Sequence, residues 1–109
     1  MTEEAPKRRR WRERQVKDQL AYAKDAARRD LERMGFDIIK SDNVRVCLIG
    51  CVPGVYEKKI MIRTGKITDE DRTLLEALRI LPNQTKAIWC KRGRGWDIYE
   101  LDYQNKVVQ

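Results

Sequence analysis

The spacing of the hydrophobic residues changes along this chain, and each change marks a predicted element. Between Val16 and Met34 the apolar residues recur every three or four positions, which aligns them along one side of a helix. The stripe consists of Val16, Leu20, Ala23, Ala27, Leu31 and Met34. Gly35 follows directly, where a helix commonly stops. The pattern therefore predicts a first helix that ends before Gly35.

Three short apolar stretches follow and predict strands. Turn-forming residues separate them at Ser41-Asp42-Asn43 and at Pro53-Gly54. The middle stretch has Arg45 as its only charge and is typical of a strand buried on both faces. We expect strands at Phe36–Lys40, Val44–Val52 and Tyr56–Arg63.

The second half of the chain predicts one helix and a hairpin. Thr68 is well placed as the N-cap, and the three acids after it favour the positive end of a helix dipole. The expected buried face of this helix is Leu74, Leu75, Leu78 and Leu81, with Pro82 ending it. Strands are expected at Thr85–Lys91 and Trp96–Leu101, joined by the loop Arg92–Gly95.

The predicted order is therefore α-β-β-β-α-β-β, which indicates an α/β fold. A chain of 109 residues fits one domain, residues 1–109, built on a mixed central sheet flanked by two helices. Residues 1–10 read as a flexible, basic lead-in and residues 103–109 as a loose tail.

Charge narrows the class of partner. The chain has 24 Lys and Arg against 17 Asp and Glu, a net charge of +7, which favours a polyanion such as DNA or RNA. An anionic membrane surface would also attract a protein of this net charge. However, no apolar run in the chain approaches the roughly 20 residues of a membrane span. The N-terminus also lacks the apolar stretch of a signal peptide. We expect no membrane partner.

The three cysteines indicate a reducing compartment. Cys47, Cys51 and Cys90 are an odd number, and without a signal peptide they predict free thiols in a cytoplasmic protein. Histidine is absent, so a tetrahedral zinc site lacks its usual ligands. Apolar neighbours surround each cysteine, which is typical of core positions.

Two basic segments are candidates for nucleic-acid contact. In the run Lys7–Arg14, arginines beside Trp11 suit a phosphate backbone with a base stacked on the indole, although the run also reads as a solubilising helix start. Lys91, Arg92 and Arg94 form a basic hairpin tip, for which a plain hairpin is the simpler interpretation. The candidate binding residues in these segments are Arg8, Arg9, Arg10, Trp11, Arg12, Lys91, Arg92 and Arg94.

The element order, with its landmarks, resembles the PD-(D/E)XK nuclease superfamily, and in outline the archaeal Holliday junction resolvases. The landmarks are the Gly35-Phe36 strand start, the buried stretch Val46–Gly50 and the exit Thr64-Gly65-Lys66. The resemblance spans roughly Val16 to Leu101 and implies a restriction-endonuclease-like core.

The resemblance also implies where a catalytic site would lie, and there the chain departs from the family. Such nucleases hold a divalent metal between two carboxylates, assisted by a lysine. This chain has Cys47, Met61 and Arg63 at the matching positions, and Cys and Met are poor magnesium ligands. We therefore expect no catalytic residues, no metal and no cofactor. Arg45, Arg63 and Lys66 would lie near the vacated site and clamp phosphate there.

The leading hypothesis is a non-catalytic, nucleic-acid-binding protein of nuclease-like fold. One alternative is an active, magnesium-dependent endonuclease that uses the literal Glu-X-Lys pair Glu57 and Lys59 with Asp42 or Asp37. The other is a protein-interaction module, such as a homodimer.

Overall fold

A computed structural model describes residues 4–41 and 46–108, and the side chains of residues 19–41 and 46–108. Within these residues the chain forms two helices and a five-stranded mixed sheet in one α/β domain, which confirms the predicted fold class and element order. The elements are α1 (Glu4–Arg33), β1 (Asp37–Ile39), β2 (Leu48–Val52), β3 (Tyr56–Arg63), α2 (Asp69–Ala77), β4 (Gln84–Arg92) and β5 (Gly95–Leu101).

The strands lie in the sheet in their chain order, β1-β2-β3-β4-β5. Each neighbouring pair is antiparallel except β3 and β4, which run parallel because α2 carries the chain back across the sheet. Ile60 of β3 pairs with Leu48 on one side and Ala87 on the other, at the centre of the sheet.

The sheet has one helix on each face, because successive strand side chains point to opposite sides. Ile60 and Ile62 face α1, whereas Met61 between them faces α2. The α1-side cluster consists of Ala23, Ala27, Leu31, Ile60, Ile62, Ala87 and Trp89. The α2-side cluster consists of Met61, Leu75, Ile88 and Leu101.

Gly35 ends α1, as predicted. Its φ of 93° is the left-handed conformation that glycine tolerates, and the Phe36 N–H donates to the Leu31 carbonyl at 3.0 Å. Met34, the last residue of the predicted stripe, follows the end of the helix at Arg33 and is 56% exposed. At the other end α1 begins at Glu4, so residues 4–10 of the expected lead-in are helical and residues 1–3 lie outside the described residues.

Thr68 caps α2, also as predicted. Its hydroxyl accepts from the Asp71 N–H at 3.1 Å, and the Asp71 carboxylate accepts from the Thr68 N–H at 3.1 Å, which completes a capping box. The helix ends at Ala77, earlier than the leucine spacing predicted. Leu78 is extended, with ψ 119°, and turns the chain away, so Leu81 is 61% exposed instead of buried.

The C-terminal residues are more ordered than a loose tail. The Val108 N–H donates to the Glu100 carbonyl at 2.9 Å, and Val107 forms a bridge with Leu101. The Asp102 carboxylate accepts from two backbone N–H groups of the turn between them. These bonds fold residues 102–108 back along β5.

The cysteines are core residues, as predicted, with one difference in degree. Cys51 and Cys90 are buried, and Cys47 is half-buried against the α1-side cluster. All three are free thiols. Burial raises the pKa of Cys90, which keeps its thiol protonated.

Candidate nucleic-acid interface

A basic groove separates α1 from the hairpin that joins β4 to β5. Its cavity volume is ≈ 210 Å³. We call it the helix–hairpin groove and define it by Tyr22, Arg29, Asp30, Arg33, Lys91 and Arg94. Four of these residues are cations and one is an acid.

Helical spacing brings three of these side chains to one wall of the groove. Tyr22, Arg29 and Arg33 are seven and four residues apart, so they lie along one stripe of α1. This stripe runs beside the buried positions Ala23 and Ala27, at the edge of the helix that faces the hairpin. These three residues were not predicted from the sequence, although their spacing beside the apolar stripe was a usable signal.

Trp96 fixes the hairpin to the helix. Its indole Nε1–H donates to Asp30 Oδ2 at 2.8 Å, and its ring lies 5.2 Å from the ring of Trp89. The Lys91 ammonium lies 4.7 Å from the Trp96 ring centroid, within the range of a cation–π contact. Trp96 therefore holds the hairpin against α1 and positions Lys91 beside the groove.

The groove keeps an excess of positive charge after its own ion pairs are counted. Arg33 lies 3.5 Å from Asp30, and Arg29 lies 3.3 Å from Asp25, both on the helix surface. Lys91 and Arg94 have no carboxylate partner among the residues whose side chains are described. Exposed pairs of this kind contribute little stability, so an anion competes with them easily.

A second cavity adjoins the first and is also ≈ 210 Å³. It lies where β3 exits the sheet, beside Thr64 and Gly65, and it shares Tyr22 and Lys91 with the helix–hairpin groove. Lys66, one of the predicted binding residues, follows Gly65 in the chain and is exposed.

Two other predicted binding residues are already paired within the protein. Arg63 Nε donates to Asp71 Oδ1 at 2.9 Å, at the start of α2 and on the sheet face opposite α1. Arg92 Nε donates to Asp97 Oδ2 at 2.6 Å, and this bond raises the pKa of Arg92. A phosphate would have to displace a carboxylate at either position.

The remaining predicted residues cannot be placed in the interface. Arg8, Arg9, Arg10, Trp11 and Arg12 belong to α1, but their side chains are not among those described. Arg45 lies outside the described residues.

The positions that the resemblance aligns with catalytic carboxylates lie on different faces of the sheet. The Cys47 sulfur accepts from the Ile62 N–H at 3.5 Å and packs with the α1-side cluster. Met61 belongs to the α2-side cluster. Across the described part of the chain, no three His, Cys, Asp or Glu side chains are grouped to hold a metal ion.

Of the alternative catalytic carboxylates, the structure describes Glu57 and Asp37, and these two lie apart. Glu57 Oε2 accepts from Gln84 Nε2 at 2.7 Å. Asp37 pairs with Cys51, which in turn pairs with Glu57, so Asp37 and Glu57 are two strands apart, roughly 10 Å. Asp42 lies outside the described residues.

Comparison with protein-family models, curated proteins and solved structures finds no significant match. The resemblance to the PD-(D/E)XK nucleases therefore stays a prediction. In the described residues, neither helix combines the length and apolarity needed to cross a membrane.

Proposed function

We propose that this protein binds DNA or RNA without cutting it, through phosphate contacts in the helix–hairpin groove. The observation that carries the proposal is the convergence of four cations from two distant segments. Arg29 and Arg33 come from α1, and Lys91 and Arg94 come from the hairpin. Lys91 and Arg94 were predicted from the hairpin sequence alone.

The chemistry of the groove suits a phosphate backbone. Guanidinium groups donate paired hydrogen bonds to phosphate oxygens, and each neutralised phosphate releases condensed counterions. Such contacts fix the position of the nucleic acid but carry no base information, so we expect weak sequence preference. Three free cysteines support a cytoplasmic location for this activity.

Two features support a non-catalytic protein of nuclease-like fold. The element order agrees with what the resemblance to the PD-(D/E)XK superfamily implies. Cys47 and Met61, which the resemblance aligns with the family's carboxylates, have soft or apolar side chains that do not suit magnesium.

The test is a binding titration of labelled duplex, four-way-junction and single-stranded DNA at several salt concentrations. The double variant Lys91→Ala/Arg94→Ala should weaken binding by about tenfold or more and reduce the salt slope by about 2, because two phosphate contacts are lost. Arg92→Ala is the matched control, since it removes a cation of the same hairpin that Asp97 already holds. It should change affinity by less than about twofold.

Three outcomes would contradict the proposal. The first is an absence of binding at low salt, and the second is an Arg92→Ala loss as large as that of the double variant. The third is magnesium-dependent cleavage that disappears in Glu57→Ala, which would favour the endonuclease alternative. Intact substrate in magnesium is the expected result.

A further inference from the structure

Tyr22 is an exposed aromatic side chain that lies between two cavities. It is 62% exposed on α1, and it lines both the helix–hairpin groove and the adjoining cavity beside Thr64 and Gly65. We infer that the site takes a single strand of nucleic acid, with one unpaired base stacked on the Tyr22 ring. This inference rests on the proposed function and narrows its substrate class.

The two cavities differ in charge in the way that such a strand requires. The helix–hairpin groove has three arginines, Arg29, Arg33 and Arg94. The adjoining cavity has Gln19, Thr64 and Gly65, with Lys91 as the only cation among the described side chains that line it. A phosphate therefore belongs on the arginine side of Tyr22 and a base on the other side. Alternating cations and aromatic faces are the usual construction of single-strand binding surfaces.

The size of the cavities argues for part of a polymer as the ligand. Each is ≈ 210 Å³, below the roughly 300–1,000 Å³ of sites that enclose a whole small molecule. Two such cavities on either side of one ring suit successive parts of a strand that continues into solvent.

An exposed ring distinguishes a single strand from a duplex. In a duplex each base is stacked between its neighbours, and freeing one face costs a few kcal/mol. An unpaired base already offers a free face, and every base has one, so the contact is independent of sequence. The phosphate contacts of Arg29, Arg33 and Arg94 are open to both forms, whereas the Tyr22 contact favours the single strand.

The experiment compares three variants in fluorescence anisotropy with a labelled oligothymidylate and a duplex of equal length. Tyr22→Ala should weaken single-strand binding about 5- to 100-fold, the range for loss of one base–aromatic stack, and change duplex binding by less than about twofold. Tyr22→Phe keeps the ring and should bind as the parent protein does. Tyr103→Ala is the control, because Tyr103 is 48% exposed in the C-terminal turn and lines neither cavity.

The other possible results distinguish failure of the base-stacking inference from failure of the proposed function. If Tyr22→Ala binds the single strand normally, or weakens both forms equally, base stacking on Tyr22 is wrong while phosphate binding in the groove stands. If neither form binds the parent protein at low salt, the proposed function fails and this inference fails with it. Thermal unfolding of each variant verifies its fold, which an exposed helical alanine should preserve.

Discussion

Two cations of the helix–hairpin groove, Lys91 and Arg94, contrast with two on the opposite, α2-side face of the sheet, Arg63 and Lys86. On the α2 side, Arg63 is bound to Asp71. Lys86, only 2% exposed, donates from Nζ to two carbonyls at the end of α2, Glu76 at 3.0 Å and Leu78 at 2.6 Å. In the groove, Lys91 and Arg94 have no such acceptor among the described side chains.

If the groove binds nucleic acid as proposed, pairing, more than the number of cations, distinguishes it from the α2-side face. A cation that already donates to a carboxylate or a helix end has its hydrogen bonds satisfied, so a phosphate gains little by replacing that partner. A cation held near an aromatic ring, as Lys91 is near Trp96, keeps its donors available.

The largest effect is expected at Lys86, where charge serves stability. Burial lowers the pKa of Lys86, although the nearby Glu76 carboxylate opposes the shift. Lys86→Met should lower the free energy of unfolding by about 2 kcal/mol, because two carbonyls of α2 lose their donor. Urea denaturation measures the change.

Lys59→Met is the matched control for this variant. Lys59 pairs with Lys86 across β3 and β4, on the same face of the sheet, but is only half-buried. Its replacement should cost less than about 0.5 kcal/mol. Equal losses in the two variants would show that the carbonyl contacts of Lys86 contribute nothing specific.

The same comparison explains which features of the fold were predictable from sequence. The strand Tyr56–Arg63 and the stop at Gly35 depend on residues close in the chain, so the sequence pattern predicted them. The end of α2 did not follow from the leucine spacing, because the backbone turns away at Leu78. Lys86 of β4 donates hydrogen bonds to the last carbonyls of the helix. Leu78 and Leu81 keep the helical spacing in the sequence although the helix ends at Ala77.

The candidate site was predictable only in part, for a similar reason. Lys91 and Arg94 are close in sequence and were predicted as candidates, and both line the groove. Arg29 and Tyr22 become part of a groove only because Trp96 bonds to Asp30 across 66 residues of sequence. Helical spacing identifies their stripe, but it does not say which strand that stripe faces.

A smaller effect is expected at Asp71, which holds Arg63 on the α2 side. Burial alone would raise the pKa of Asp71, but hydrogen bonds from Arg63 and Thr68 outweigh it and hold the pKa below its ordinary value of 3.8. The folded state therefore binds its proton less readily than the unfolded state. The resulting stability is present above pH 3.8 and is lost as the pH falls through the folded value.

Asp71→Asn should accordingly cost about 1 kcal/mol at neutral pH, the usual value of an N-terminal capping interaction. The difference from the parent protein should shrink below pH 3.8 in denaturation curves collected across the acid range. Asp69→Asn removes a carboxylate from the same first turn without touching Arg63, and serves as the control. A gap between parent and Asp71→Asn that is constant with pH would rule out the ion pair as its source.

The smallest effect is expected at Asp30, the acid within the groove. Asp30→Asn keeps an oxygen acceptor for the Trp96 indole but removes the negative charge beside Arg33. Affinity for single-stranded DNA should rise about two- to fivefold near 50 mM salt, because an exposed charge contributes up to roughly 1 kcal/mol, and the gain should shrink near 200 mM.

Asp69→Asn makes the same change in net charge on the opposite face of the sheet, at the start of α2. If nucleic acid lies in the helix–hairpin groove, only Asp30→Asn should bind more tightly, because screening limits the influence of a charge to about 10 Å. Equal gains in both variants would mean that net charge alone drives binding and that the groove has no special role. A gain with Asp69→Asn alone would place the nucleic acid on the α2 side, reversing the contrast between the two surfaces.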